Sequence, residues 1–169
     1  ELGSRYFASH PTVPRANIVA DINLDMFLPL YALKVLEVQG LTESTLGDAV
    51  RVAAKEEGVD VQTDREPEQN RFIRSDQYSF IRQGIPALHI KYGLKTNDPA
   101  VDLRKVIDEW TEAHYHKPSD EFSDNAFDFT AAATYVRLNF LIGWQVANTT
   151  QRPKWVKGDF FGETFGGKQ

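Results

Sequence analysis

The sequence predicts an α/β domain of three layers, with a central mixed, largely parallel sheet flanked by helices. Short β-branched apolar runs alternate with helix-period segments along the whole chain. A chain of 169 residues with 41% hydrophobic residues is large enough to build a single core. Polar residues arrive at the end of the first apolar run, which is where α/β sheets gather their sites.

The opening "ELGSRYFASHP" has no initiator Met, and "SRYFASH" has the composition of a helix end stopped by Pro11. This start suggests the middle of a longer or processed chain. The run from Ile18 to Leu24 is apolar apart from Asp21 and Asn23 and predicts a buried strand. "LKVLEVQG" (33–40) predicts a second strand, ended by Gly40. Residues 42–58 carry a Thr or Ser cap, a stripe of Leu46, Ala49, Val50 and Ala53, and Gly58 after the end, which together predict an amphipathic helix. "VDVQTD" (59–64) is a short strand and "REPEQNRF" (65–72) a charged loop. "SDQYSFIRQG" (75–84) opens on a capping pair and predicts a short helix. "IPALHIKYG" (85–93) is the clearest buried strand. A short helix or extended connector follows over 98–114, and then the longest helix, over 125–148. Its expected core stripe is Phe129, Ala132, Val136, Phe140, Leu141, Trp144 and Ala147. The tail from Gln151 onward is rich in Gly, Pro and aromatics, and is expected to dock as an irregular segment.

Composition excludes several classes. The net charge of −5 argues against a general nucleic-acid binder, which needs a basic face. Apolar runs such as "FLIGW" (140–144) are too short to span a bilayer. With no cysteine there are no disulfides, thiolate metal sites or cysteine nucleophile. Any metal would need His and carboxylate ligands, which suit zinc and related ions. No Gly-rich phosphate loop, G-x-S-x-G elbow or H-E-x-x-H helix occurs.

Two places remain for chemistry. In "AHYHKPSDEF" (113–122), Pro118 biases Lys117 to an extended shape, and Asp120 lies where it could orient a ring nitrogen of His116. By residue type alone, His116 is either a ligand or base, or a surface histidine in a polar loop. His114, two residues away, would point the other way on extended chain. Asp25, just past the first strand, is costly to bury unless it is paired or binds a cation. A strand-end cap, or Asp21 in its place, are the alternatives. Asp76 fits a helix cap, while His10 and His89 fit structural roles.

Four stretches together resemble the co-catalytic di-zinc aminopeptidases, a zinc-exopeptidase family. "LGSRYFASHP" resembles the helix after their tandem glutamates, and "NIVADINLDM" the strand ending in a metal-binding Asp. "RSDQYSFIRQGIPALHI" resembles their S-D-x-x-x-F-x-x-x-G-I-P-A segment, and "YHKPSDEF" their Y-H-x-x-x-D motif. Order and spacing agree over nearly all of the chain. The resemblance implies that Asp25 ligates one zinc and His116 the other. It makes Tyr115 the hydroxyl that steadies the oxyanion, and Asp120 a support behind His116. Ser75, Asp76 and Phe80 would shape the substrate side. Gln77 stands where many members carry His. In such enzymes two zinc ions share a water whose pKa they lower, and a glutamate takes its proton.

The first His, the bridging Asp and the tandem glutamates of that family would precede residue 1. The resemblance therefore implies that residues 1–169 are the C-terminal portion of a peptidase catalytic domain, inactive alone, whose parent acts on peptide N-termini. The partners expected are a peptide substrate, the N-terminal part of the same domain, and a second copy paired through an open sheet edge. No nucleic acid and no membrane span are expected. Export of many members implies a secreted or periplasmic parent. Two other readings stay open: a non-catalytic interaction domain on the same scaffold, and a single-zinc acyl transferase of the glutaminyl cyclase type.

Overall fold

The computed structural model describes residues 1–121 and 127–168. Its four strands are β1 (Asp21–Asn23), β2 (Val35–Gln39), β3 (Asp60–Gln62) and β4 (Ala87–Tyr92). They form one mixed sheet in the order β1-β4-β2-β3. β1 runs parallel to β4 and β3 parallel to β2, while β2 and β4 are antiparallel. The helices are α1 (Leu2–Ser9), α2 (Leu46–Glu56), α3 (Gln77–Ile81), α4 (Leu103–His114), α5 (Phe129–Asn148) and α6 (Phe160–Phe165). Helices lie on both faces of the sheet, which is the expected three-layer α/β arrangement.

Strand alternation gives the two faces opposite chemistry. Leu36 and Val38 of β2, with Leu88, Ile90 and Tyr92 of β4, project to one side and are covered by α2 and α5. Each such side chain, fully buried, contributes roughly 1.5–3 kcal/mol. Tyr135 of α5 closes this core, its hydroxyl donating to the Ile90 carbonyl at 2.5 Å. The other side carries Glu37 and Gln39 of β2 opposite Lys91 and His89 of β4. Asn23 lies beside His89 and Gln62 beside Glu37 on that side. α3 packs against β1 and β4 on this face, and Ser75 just before it accepts from Asn23 of β1. Glu37, Gln39, His89 and Gln77 are all buried there, so each needs a partner.

Several expectations shift in register. The strand expected over 18–24 is only Asp21–Asn23, an edge strand bonded on one side to β4. Gly40 ends β2 at φ 87, so close to the Ala87 carbonyl that a Cβ would come within 2.5 Å of it. The tail docks as expected. The Trp155 indole donates to the Gly84 carbonyl at 2.8 Å, and the tail also forms the short α6. The stretch 98–114 resolves into helix from Leu103, capped by Asp102, whose carboxylate accepts from the Lys105 N–H.

The core stripe of α5 is a correction. Its buried residues are Ala131, Tyr135, Leu138, Asn139 and Ile142, with Leu141 half-buried at the edge. Phe129, Val136, Phe140 and Trp144 lie exposed on the far side. The helix is apolar nearly all round, so periodicity does not choose its inner face. Tyr135 turns inward with its hydroxyl on the Ile90 carbonyl, and Asn139 is carried in beside it, its amide donating to the Tyr135 carbonyl one turn back while its Oδ1 finds no partner among the described residues. The helix begins at Phe129; residues 125–126 of the expected span lie outside the described residues.

Candidate active site

Asp25 lies in the turn after β1, exposed rather than buried. Its cost is therefore not one of burial, and its carboxylate is positioned by a neighbour. The Ser75 hydroxyl donates to Asp25 Oδ2 at 2.6 Å. Ser75 Oγ in turn accepts from Asn23 Nδ2 at 3.2 Å, and Asn23 also donates to Gln77 Oε1 at 2.7 Å. Gln77 donates to the Phe72 carbonyl at 2.8 Å and is fully buried. Gln77 is thus a structural anchor under the site, not a donor facing a substrate.

The turn is fastened from both sides. His89 Nε2 lies 3.2 Å from the Asp25 carbonyl, and its Nδ1 lies 2.9 Å from Gln39 Oε1. Burial first, and then Lys91, push the His89 pKa down to about 4, so the ring is neutral at pH 7. It is the buried structural histidine that the sequence suggested, and the neutral ring donates to one of these two oxygens. Phe27 stacks on Tyr135 at 5.1 Å, which pins the turn two residues after Asp25. Between them Met26 adopts φ 59, a left-handed conformation that a side chain disfavours.

His116 follows α4, in a turn that contains Pro118. It too takes a positive φ, 57. Its ring stacks on Tyr115 at 3.8 Å. Asp120 Oδ2 accepts from the His116 backbone N–H at 3.4 Å, whereas the sequence suggested a ring nitrogen. Asp120 therefore shapes the turn. His114 is the last residue of α4, not part of an extended strand, and its Nδ1 meets the Ser119 carbonyl at 3.1 Å. Phe122 of this stretch lies outside the described residues.

The other candidates separate. Ser75 is bonded to Asp25. Asp76 makes no capping hydrogen bond to α3, and instead its charge acts on Asp21. Phe80 packs against Phe7 of α1 at 6.1 Å. Met26 and Tyr115, the neighbours of Asp25 and His116, line one cavity of about 370 Å³. The same cavity is walled by Glu37, Arg65, Arg71, Lys91 and Arg104. The sequence reading missed these residues. They come from four separate segments, and only the strand register brings Glu37 and Lys91 together.

Among the described residues, no group of three or more His, Asp or Glu gathers around one point as a metal site would require. Asp25 and His116 alone do not make a zinc shell, which takes three or four protein ligands.

The structure thus sets a mixed sheet between helices, with a candidate ligand in the turn after an edge strand and a Tyr-His pair after a helix. The model of peptidase family M28 matches residues 1–140. The chain belongs to that family, whose members are metal-dependent peptidases. No curated protein and no solved structure matches the chain.

Proposed function

We propose that this chain is the C-terminal portion of the catalytic domain of a zinc aminopeptidase that removes residues from peptide N-termini. In this reading Asp25 and His116 each contribute a ligand to a different zinc ion. The Tyr115 hydroxyl donates to the developing oxyanion. Ser75 fixes the orientation of the Asp25 carboxylate. The remaining ligands and the general base lie outside the chain, so alone it binds zinc weakly and does not turn over substrate. The observation that carries the reading is the pairing of strained backbone with candidate ligands. Positive φ falls at Met26, beside Asp25, and at His116 itself, within a chain of the M28 family. Such conformations cost on the order of 1–3 kcal/mol and cluster at functional sites.

The test is metal analysis and hydrolysis of leucine p-nitroanilide by the full-length parent beside this chain. The parent is expected to carry zinc and be active. Asp25→Ala and His116→Ala in the parent are expected to lower kcat/KM at least 1000-fold and release zinc. Chelator-sensitive activity of the 169-residue chain alone, or full activity of either variant, would overturn the reading.

A further inference from the structure

The cavity between the Asp25 turn and Tyr115 has an electrostatic design that peptide-bond hydrolysis alone does not require. Its volume of about 370 Å³ suits one side chain or a chain terminus. Arg65, Arg71, Lys91 and Arg104 supply four cations to its wall, against the carboxylates of Glu37, Glu66 and Asp108.

The pairing of these charges decides what is left over. Arg65 is bonded to Glu37, which also accepts from Gln62 at 3.3 Å. Arg71 reaches Glu66 at 2.6 Å and Arg104 reaches it at 3.0 Å, so one carboxylate serves two guanidiniums. Lys91 sits opposite Glu37 in the sheet register, yet Glu37 is already engaged. Among the described residues, no carboxylate lies within ion-pair distance of the Lys91 ammonium. A half-buried cation without a counterion is costly, and an incoming anion would remove that cost. Burial first, and then Arg71, lower the Lys91 pKa, while Asp25 acts the other way. Lys91 thus feels both the cavity and the Asp25 turn.

We propose that this cavity is a subsite for a carboxylate of the peptide substrate, held by Lys91 with Arg71 and Arg104 behind it. The inference rests on the peptidase reading for the word substrate. The same chemistry could come from an acidic side chain beside the scissile bond or from the C-terminus of a short peptide. The aliphatic stem of Met26 and the ring of Tyr115 would pack against the intervening methylenes. Two of the three carboxylates on the wall are already neutralised, so the added charge meets a net attractive field.

Direct binding tests this without metal or turnover, so an inactive chain does not affect the result. Chemical-shift titrations of the 169-residue chain would use Glu-Gly-amide, Gln-Gly and Gln-Gly-amide. Glu-Gly-amide carries only a side-chain carboxylate, Gln-Gly only a terminal one, and Gln-Gly-amide neither. At least one charged peptide is expected to shift the amides of β4 saturably and at least tenfold more tightly than Gln-Gly-amide. Whichever does so identifies the source. Binding is expected to weaken with added salt, to be lost in Lys91→Met, and to be retained in Lys91→Arg. Should Lys91→Met fail to fold, Arg104→Gln on the exposed side of α4 should weaken binding at least threefold. Equal shifts by all three peptides, no saturable binding by either charged one, or binding unchanged in these variants would overturn the assignment.

Discussion

Ser75 donates to Asp25 Oδ2 and accepts from Asn23, so one hydroxyl ties the exposed turn to the polar face of the sheet. A carboxylate held at one oxygen presents the other in a fixed direction, which is what a ligand requires. On the proposed reading, in which a full-length parent binds zinc through Asp25, Ser75→Ala in that parent is expected to lower zinc affinity ten- to a hundredfold, as loss of a support behind a ligand does. Its effect on folding should be near 1 kcal/mol, because Asn23 keeps its bond to Gln77. A zinc competition titration reads the first quantity and urea unfolding the second; unchanged zinc affinity would remove Ser75 from the site. The sequence alone did not separate Ser75 from Asp76, since both suit a helix start. What separates them is where β1 ends, and that depends on its register with β4. Asp25 and His116 could be singled out as candidates because each sits in a recognisable local motif. The cavity residues were not, because residues 37, 65, 71, 91 and 104 share no local pattern.

At the scale of elements, α5 tests which forces choose a helix face. Phe140 and Trp144 stack on each other outside, 6.0 Å apart, while Leu138 and Ile142 are fully buried. Leu138→Ala should cost about 2–5 kcal/mol, since it removes buried volume against the sheet. Phe140→Ser with Trp144→Ser should cost no more than about 1 kcal/mol, as exposed substitutions do. Urea midpoints of the two variants rank them, and the reverse order would put the expected stripe inside after all. The elements themselves were legible in order and type, because apolar period and punctuation by Gly and Pro are local signals. The inner face of α5 was not. It follows the polar handle of Tyr135, which reaches the Ile90 carbonyl and which periodicity counts as neutral or unfavourable. The order β1-β4-β2-β3 was also hidden, because strand pairing is decided by contacts far apart in sequence.

Across the whole molecule, the polar sheet face makes stability depend on pH through two opposed groups. Among the described residues Asp21 Oδ2 is buried without a partner, and its pKa is raised to about 7 by burial first and then by Asp76. The folded state therefore holds a proton that the unfolded chain releases near 3.8. The stability Asp21 contributes is fully present below that value and is lost as pH rises through about 7. His89 acts in the other direction. Its pKa falls from 6.5 to about 4, so its contribution is full above 6.5 and is lost as pH drops through about 4. At 1.36 kcal/mol per pKa unit, these are contributions of about 4 and about 3 kcal/mol. Between pH 4 and 6.5 the two slopes nearly cancel, one proton held extra by the folded chain and one by the unfolded. Asp21→Asn keeps the shape and removes one of the pair. The variant should match the wild type near pH 4 and exceed its stability by up to about 4 kcal/mol by pH 8, with most of the gain accruing between pH 4 and 7. Urea unfolding at pH 4, 5.5, 7 and 8 measures the difference, in which the carboxylates common to both chains drop out. Parallel curves for the two proteins would mean that Asp21 titrates normally and that the polar face is solvated at that edge.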